Sequence, residues 1–161
     1  MIHIRHASPL DTRAMADLLN AIIERGGTTA MTEPVSPEIL SDWIGNDGTR
    51  GAWHVAEDDS GALLGFQWIG PHPDLPPEAC DIATFTRIGQ TRLGIGARLF
   101  EATKHAARDL GYAWINAAIR ADNTGGLAYY QSRGFEQWHR REAAVPADGH
   151  HVDQILMRCN L

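Results

Sequence analysis

Thr91-Arg92-Leu93-Gly94-Ile95-Gly96-Ala97 is the stretch that decides the fold of this chain. An apolar strand precedes it and an amphipathic helix follows it. Two glycines two apart leave bare backbone at a strand-to-helix turn. N–H groups there can point outward at the positive end of the helix dipole, which is how a chain builds a pyrophosphate cradle. A Gly-x-Gly turn alone is common. It gains meaning from Asn123-Thr124-Gly125-Gly126-Leu127-Ala128-Tyr129-Tyr130, closed by Gly134-Phe135, about one helix and one strand later. Two other readings of the glycines fail. A dinucleotide fingerprint needs a third glycine where Leu99 stands, and a Walker loop needs a Gly-Lys-Ser/Thr that does not follow.

The elements read outward from this pair. Ile2 and Ile4 alternate with polar residues, as in a half-buried strand. Asp11 is placed to cap a helix with Met15, Leu18, Leu19, Ile22 and Ile23 on one stripe, ended by Gly26-Gly27. Ser36-Pro37 caps and opens a second helix carrying Ile39, Leu40, Trp43 and Ile44. Residues 52–57 and 62–69 read as strands joined by the hairpin loop Asp58-Asp59-Ser60-Gly61. Residues 70–77 hold four prolines and form an irregular loop, and 79–86 is the next strand. Beyond the cradle, Ile95, Leu99, Ala102, Ala106 and Leu110 mark the inward side of a helix ended by Gly111. Residues 113–119 form an apolar strand, and a short helix runs from Asn123 to Gly134. Strands at 135–144 and 151–157 flank the loop Pro146-Ala147-Asp148-Gly149. The order β-α-α-β-β-β-α-β-α-β-β describes one mixed α/β domain over residues 1–161.

Composition narrows the function. The chain has 161 residues, 43% hydrophobic and 21% charged, the size and balance of a single soluble domain with its own core. A net charge of -6 argues against nucleic acid as a partner and requires any phosphate site to be local. Met1-Ile2-His3-Ile4-Arg5 begins no apolar run long enough for a signal peptide or membrane span, so a cytoplasmic protein with no membrane partner is expected. Cys80 and Cys159 stand far apart and read as two reduced thiols. His150-His151 are adjacent, but neighbours on a strand point to opposite faces. No His-x-x-x-His or Cys-His cluster exists, so no metal is expected. Trp43, Trp53 and Trp114 read as core, and Trp68 beside Gln67 as a wall of an acceptor pocket. Arg140 and Arg141 are candidates to pair an acceptor carboxylate.

The cradle and the Asn123…Tyr130 segment together resemble motifs A and B of the GNAT superfamily, the acetyl-CoA-dependent N-acetyltransferases. The likeness runs over roughly residues 2 to 160. Within the superfamily the chain most resembles the phosphinothricin acetyltransferase-like group, which acetylates small amines such as amino-acid analogues. Three features carry the narrower likeness: Thr28-Thr29-Ala30-Met31-Thr32-Glu33-Pro34 between the first two helices, the acid Asp81 at the start of the strand before the cradle, and the closing strand Val152-Asp153-Gln154-Ile155-Leu156-Met157. Two departures stand out. Thr91 occupies the cradle position where Arg or Gln is usual. Asp81 occupies the place of a catalytic Glu, and one methylene fewer sets its carboxylate about 1.5 Å further back. A bridging water fits that gap.

The resemblance implies the GNAT fold, a mixed and mostly antiparallel sheet flanked by helices. It implies acetyl-CoA as acyl donor, a small-molecule amine as acceptor, and a homodimer. Arg92, Leu93, Gly94, Ile95, Gly96 and Ala97 would hold the donor through backbone N–H groups. The arm of the donor would lie along Thr84, Phe85 and Thr86 like an added strand, one N–H serving the oxyanion. Asn123 would contact the same arm, or cap the helix that follows it. Asp81 is the candidate general base, with Glu78 and Glu33 in reserve. An α-amine has a reference pKa of roughly 8, so it must lose a proton before attack. Tyr130 is the candidate general acid for the leaving thiolate, with Tyr129 turned toward the core. The implied mechanism is direct attack in a ternary complex, in which Cys80 is dispensable. A non-catalytic acyl-CoA sensor, or a peptide or protein acetyltransferase, would share the cradle.

Overall fold

The structure is a computed structural model that describes residues 1–90, 94–144 and 152–161. Helix α1 spans Thr12–Arg25 because Met15, Leu18, Leu19, Ile22 and Ile23 fall on one stripe, and all five are buried. It stops at Gly26, whose N–H bonds Ile22 O at a φ of 73°, a conformation that favours glycine. Asp11 does not cap α1 with its side chain. Its carboxylate instead accepts from Arg5 and from Ser8 N–H within the short 3-10 turn Pro9–Asp11. Helix α2 spans Pro37–Asn46 and opens as expected on Ser36, whose hydroxyl accepts Ile39 N–H at 3.1 Å. Between the helices, the Asn20 side chain bonds both the N–H and the C=O of Val35 at 2.8 Å, tying the connecting segment to α1.

Among the described residues, seven strands form one sheet in the order β1-β2-β3-β4-β5-β7-β6. They are β1 (His3–His6), β2 (Ala52–Glu57), β3 (Leu63–Gly70), β4 (Ala79–Thr86), β5 (Trp114–Arg120), β6 (Glu136–Ala144) and β7 (Val152–Asn160). Every neighbouring pair is antiparallel except β4 and β5. The expected β4 matches residue for residue. β7 continues to Asn160, three residues past the expected end, because its register with β5 holds to Trp114. The loop at 146–149 and His150-His151 lie outside the described residues.

Helices cover both faces of the sheet. Cys80 and Ile82 of β4 face α3 (Ile95–Asp109) and α4 (Thr124–Ser132), in one core with Phe100, Tyr130 and Phe135. Phe85 faces the other way, against the core of Met15, Leu19, Leu40 and Phe66 under α1 and α2. Strand alternation requires this split. The inward side of α3 differs from the expected stripe. Ile95, Leu99, Phe100, Thr103 and Ala107 are buried, and Ala102, Ala106 and Leu110 lie half-buried at the flank. Phe100 packs against Phe135 with ring centroids 5.5 Å apart, and its large apolar area turns the helix toward it.

Candidate active site

Strands β4 and β5 pair only over Ala79–Asp81 and Trp114–Asn116. Beyond those three rungs β4 stays with β3 as far as Thr86, while β5 stays with β7 as far as Arg120. The two parallel strands therefore part in the middle of the sheet and open a cleft. Arg87 N–H donates to Leu64 O, so the bonded positions on β4 toward β3 are Arg87, Phe85, Ala83 and Asp81. Ile82, Thr84 and Thr86 turn their backbone groups toward the cleft. Of the three residues expected along the donor arm, Phe85 is thus committed to β3 by both backbone and side chain, while Thr84 and Thr86 face the opening.

The start of α3 borders that cleft. Gly94 sits at φ 73° and no side chain caps the helix there. Among the described residues its first internal bond is Arg98 N–H to Gly94 O, and the N–H groups of Ile95, Gly96 and Ala97 lie at the dipole end. Among the described residues, a Cβ on Gly94 would meet nothing within 4 Å. A Cβ on Gly96 would come 2.6 Å from Tyr129 Cε1. Gly96 is therefore small to admit Tyr129. Thr91, Arg92 and Leu93 lie outside the described residues.

The two tyrosines of α4 divide the work differently from expectation. Tyr130 is the core residue, 7% exposed, with its ring against Phe135 and Tyr129. Its hydroxyl shares a 2.8 Å hydrogen bond with Thr84 Oγ1 of β4. Burial pushes the Tyr130 phenol well above its usual range, so it stays protonated. Tyr129 is half-buried and donates its hydroxyl proton to Gly96 O at 2.7 Å. Gln67, fully buried, donates to Thr84 Oγ1 at 2.8 Å and to Tyr129 Oη at 3.1 Å. This network ties β3, β4 and α4 to the first turn of α3. Gln67 thus faces the tyrosines, whereas Trp68 lies on the opposite face, its ring over Gly70. The two do not line one pocket.

Asp81 sits on the α1/α2 face at the fork where the strands part. Burial raises its carboxyl above the ordinary range, and Asn116 Nδ2, donating to Oδ1 at 3.0 Å, works against that rise. Trp138 Nε1 donates to Asn116 Oδ1 at 2.9 Å. Ala118, one turn of the pleat beyond Asn116, is exposed although it lies inside the sheet, which marks open space beside the carboxylate. His72 from the proline-rich segment and Arg141 from β6 stand at the rim, both within 3.9 Å of Asp74. Arg140 instead pairs with Asp153 at 2.7 Å. Glu33 and Glu78 are exposed. Asn123 accepts Gly126 N–H at 3.0 Å as the cap of α4 and donates to Thr28 O at 3.3 Å.

Cys80 and Cys159 are buried free thiols, and burial pushes Cys80 up to about 12, far from a nucleophile. Among the described residues no group of three metal-ligating side chains occurs, and no helix is long and apolar enough to cross a membrane. The residues that sequence reading missed are Asn116, Trp138 and the full role of Gln67. Asn116 had a signal, since it interrupts the apolar run of β5. Trp138 had none.

Comparison with known proteins places this geometry. The model of the acetyltransferase (GNAT) family matches residues 14–135. YwnH of Bacillus subtilis strain 168, named as a phosphinothricin acetyltransferase, is 26% identical over 157 residues, 96% of each chain. A ribosomal-protein-alanine N-acetyltransferase from Brucella melitensis superposes with a TM-score of 0.90 at 24% identity, covering 99% of both chains. A phosphinothricin acetyltransferase from Sinorhizobium meliloti, solved with AcCoA, gives 0.91 at 20% identity, covering 99% of this chain and 88% of that one.

Proposed function

Because the chain belongs to the GNAT acetyltransferase family, we propose that it transfers acetyl from acetyl-CoA to the amine of a small, amino-acid-like molecule. The observation that carries this reading is the parting of β4 and β5 beside an uncapped α3, with Asp81 on one face of the fork and Tyr130 on the other. The N–H groups at the first turn of α3 suit a pyrophosphate, and the outward backbone of Thr84 and Thr86 suits an amide-bearing arm. The likeness to YwnH, named as a phosphinothricin acetyltransferase, supports an amino-acid-like acceptor.

Acetyl-CoA supplies an activated acyl carbon and a thiolate leaving group. Asp81 takes the proton of the bound ammonium, directly or through one water, which its short side chain leaves room for. A carboxylate raised by burial is the stronger base for that task. The inward N–H groups of Ile82, Thr84 and Thr86 provide the donors for the developing oxyanion. Tyr130 holds a proton at neutral pH and offers it to the departing sulfur. Tyr129 cannot, since its hydroxyl proton is held by Gly96 O. The amine nitrogen adds to the acyl carbon to give the oxyanion, which collapses as the carbon–sulfur bond breaks, with no acyl-enzyme. The thiolate takes the Tyr130 proton, and the second proton shed by the nitrogen returns to the Tyr130 oxygen. Asn123 positions α4 beside the arm.

The test is thiol release from acetyl-CoA with a panel of free amino acids, methionine sulfone and sulfoximine, polyamines and a peptide. Turnover with an amino-acid-like amine is expected. Turnover with the peptide alone, or none despite acetyl-CoA binding, would contradict the reading.

A further inference from the structure

Asn116 is used by no step above, yet it is 4% exposed and both ends of its amide are engaged. An indole N–H can only donate, so the end of the amide facing Trp138 must be its oxygen. That turns the NH2 end toward Asp81. Flipped, the amide would set N–H against N–H and C=O against carboxylate. Three strands supply the three members: β6 gives Trp138, β5 gives Asn116 and β4 gives Asp81. Trp138 reaches across β7 because β6 bulges there. Gln137 pairs with Met157 and His139 pairs with Leu156, leaving Trp138 as the extra residue. A bulge re-aims a side chain in this way. The indole is braced edge-on against Trp114 at 5.8 Å, and Arg158 covers the Trp114 face at 4.1 Å.

We propose that Trp138 and Asn116 are positioning residues for Asp81: the bulge-borne indole fixes the amide, and the amide holds the carboxylate aimed into the cleft. The proposal rests on the reading of Asp81 as the base. Two other charged groups act on Asp81 from its own face, His72 from the segment after β3 and Arg141 from β6, both beside Asp74. Through the sheet its charge acts on Tyr130 of α4 and on Cys80 of its own strand. Among the described residues, Asn116 is the side chain that donates to the carboxylate.

The experiment is a carboxyl-13C NMR titration of aspartate-labelled protein, with the Asp81 signal assigned by its loss in Asp81→Asn. Trp138→Phe keeps the ring on Trp114 and removes the N–H. Asn116→Leu keeps the volume and removes both polar ends. The Asp81 midpoint is expected to rise by roughly one pH unit in Asn116→Leu and by less in Trp138→Phe, because a lost donor disfavours the charged form. The acid limb of kcat at saturating amine should move the same way. Coincident midpoints in Trp138→Phe and the unaltered protein, beside an inactive Asp81→Asn, would overturn the positioning role alone. An Asp81→Asn protein that transfers acetyl at the unaltered rate would overturn the reading of the base, and this proposal with it. Trp138 is 44% exposed, so its phenylalanine variant keeps the test alive should Asn116→Leu fail to fold.

Discussion

Gly96 owes its lack of a side chain to Tyr129. With an alanine there, the Cβ would stand 2.6 Å from the tyrosine ring, and the ring and its bond to Gly96 O would both have to give. Gly96→Ala is therefore expected to weaken acetyl-CoA binding about tenfold and to cost about 1–3 kcal/mol of stability through overpacking. Titration calorimetry and urea unfolding check the two effects. Tyr129→Phe, which keeps the ring and removes the bond, should lose less than Gly96→Ala. The sequence marked both glycines but gave their need as room for phosphate, because Tyr129 lies on another helix. Nor could adjacent tyrosines be sorted by pattern, since the short α4 packs on both sides of their positions. Cys80 makes the complementary case: buried and pushed up to about 12, it should be replaceable by alanine without loss of acetyl transfer in a thiol-release assay.

At the level of elements, local signals were legible and register was not. Strand β4 was readable to the residue because prolines bound one end and the cradle the other. The Ser36 hydroxyl caps α2 as its position before Pro37 predicts. Ser36→Ala should lower stability by about 1 kcal/mol, read from the urea midpoint. The parting of β4 from β5 and the bulge of β6 could not be read, since both depend on which rungs distant strands share. The cleft and the reach of Trp138 to Asn116 were therefore hidden in the sequence, while Asp81 and the cradle glycines were plain.

Across the whole molecule, the order of elements and the two-faced core follow from the periodicity of the chain, and His54 sets the pH response. It is 5% exposed on β2 with its ring 4.5 Å from His6, and burial, then His6, lowers it from 6.5 to about 4. The unfolded chain binds that proton more readily, so the His54 contribution to stability falls as pH drops from 6.5 toward 4 and levels off below, where protonation of Asp11, held low by Arg5, continues the loss. The His54 part amounts to about 3 kcal/mol at the low end. Urea unfolding at a series of pH values should show this slope, and His54→Leu should flatten it. We propose that the fork of β4 and β5 carries out acetyl transfer with Asp81 as proton acceptor. The direct measurement is kcat for acetyl transfer in Asp81→Asn beside its affinity for acetyl-CoA. A fall in kcat of at least a hundredfold with acetyl-CoA affinity unchanged is the predicted result. Unchanged kcat, or a loss of activity that follows only from lost acetyl-CoA binding, would contradict it.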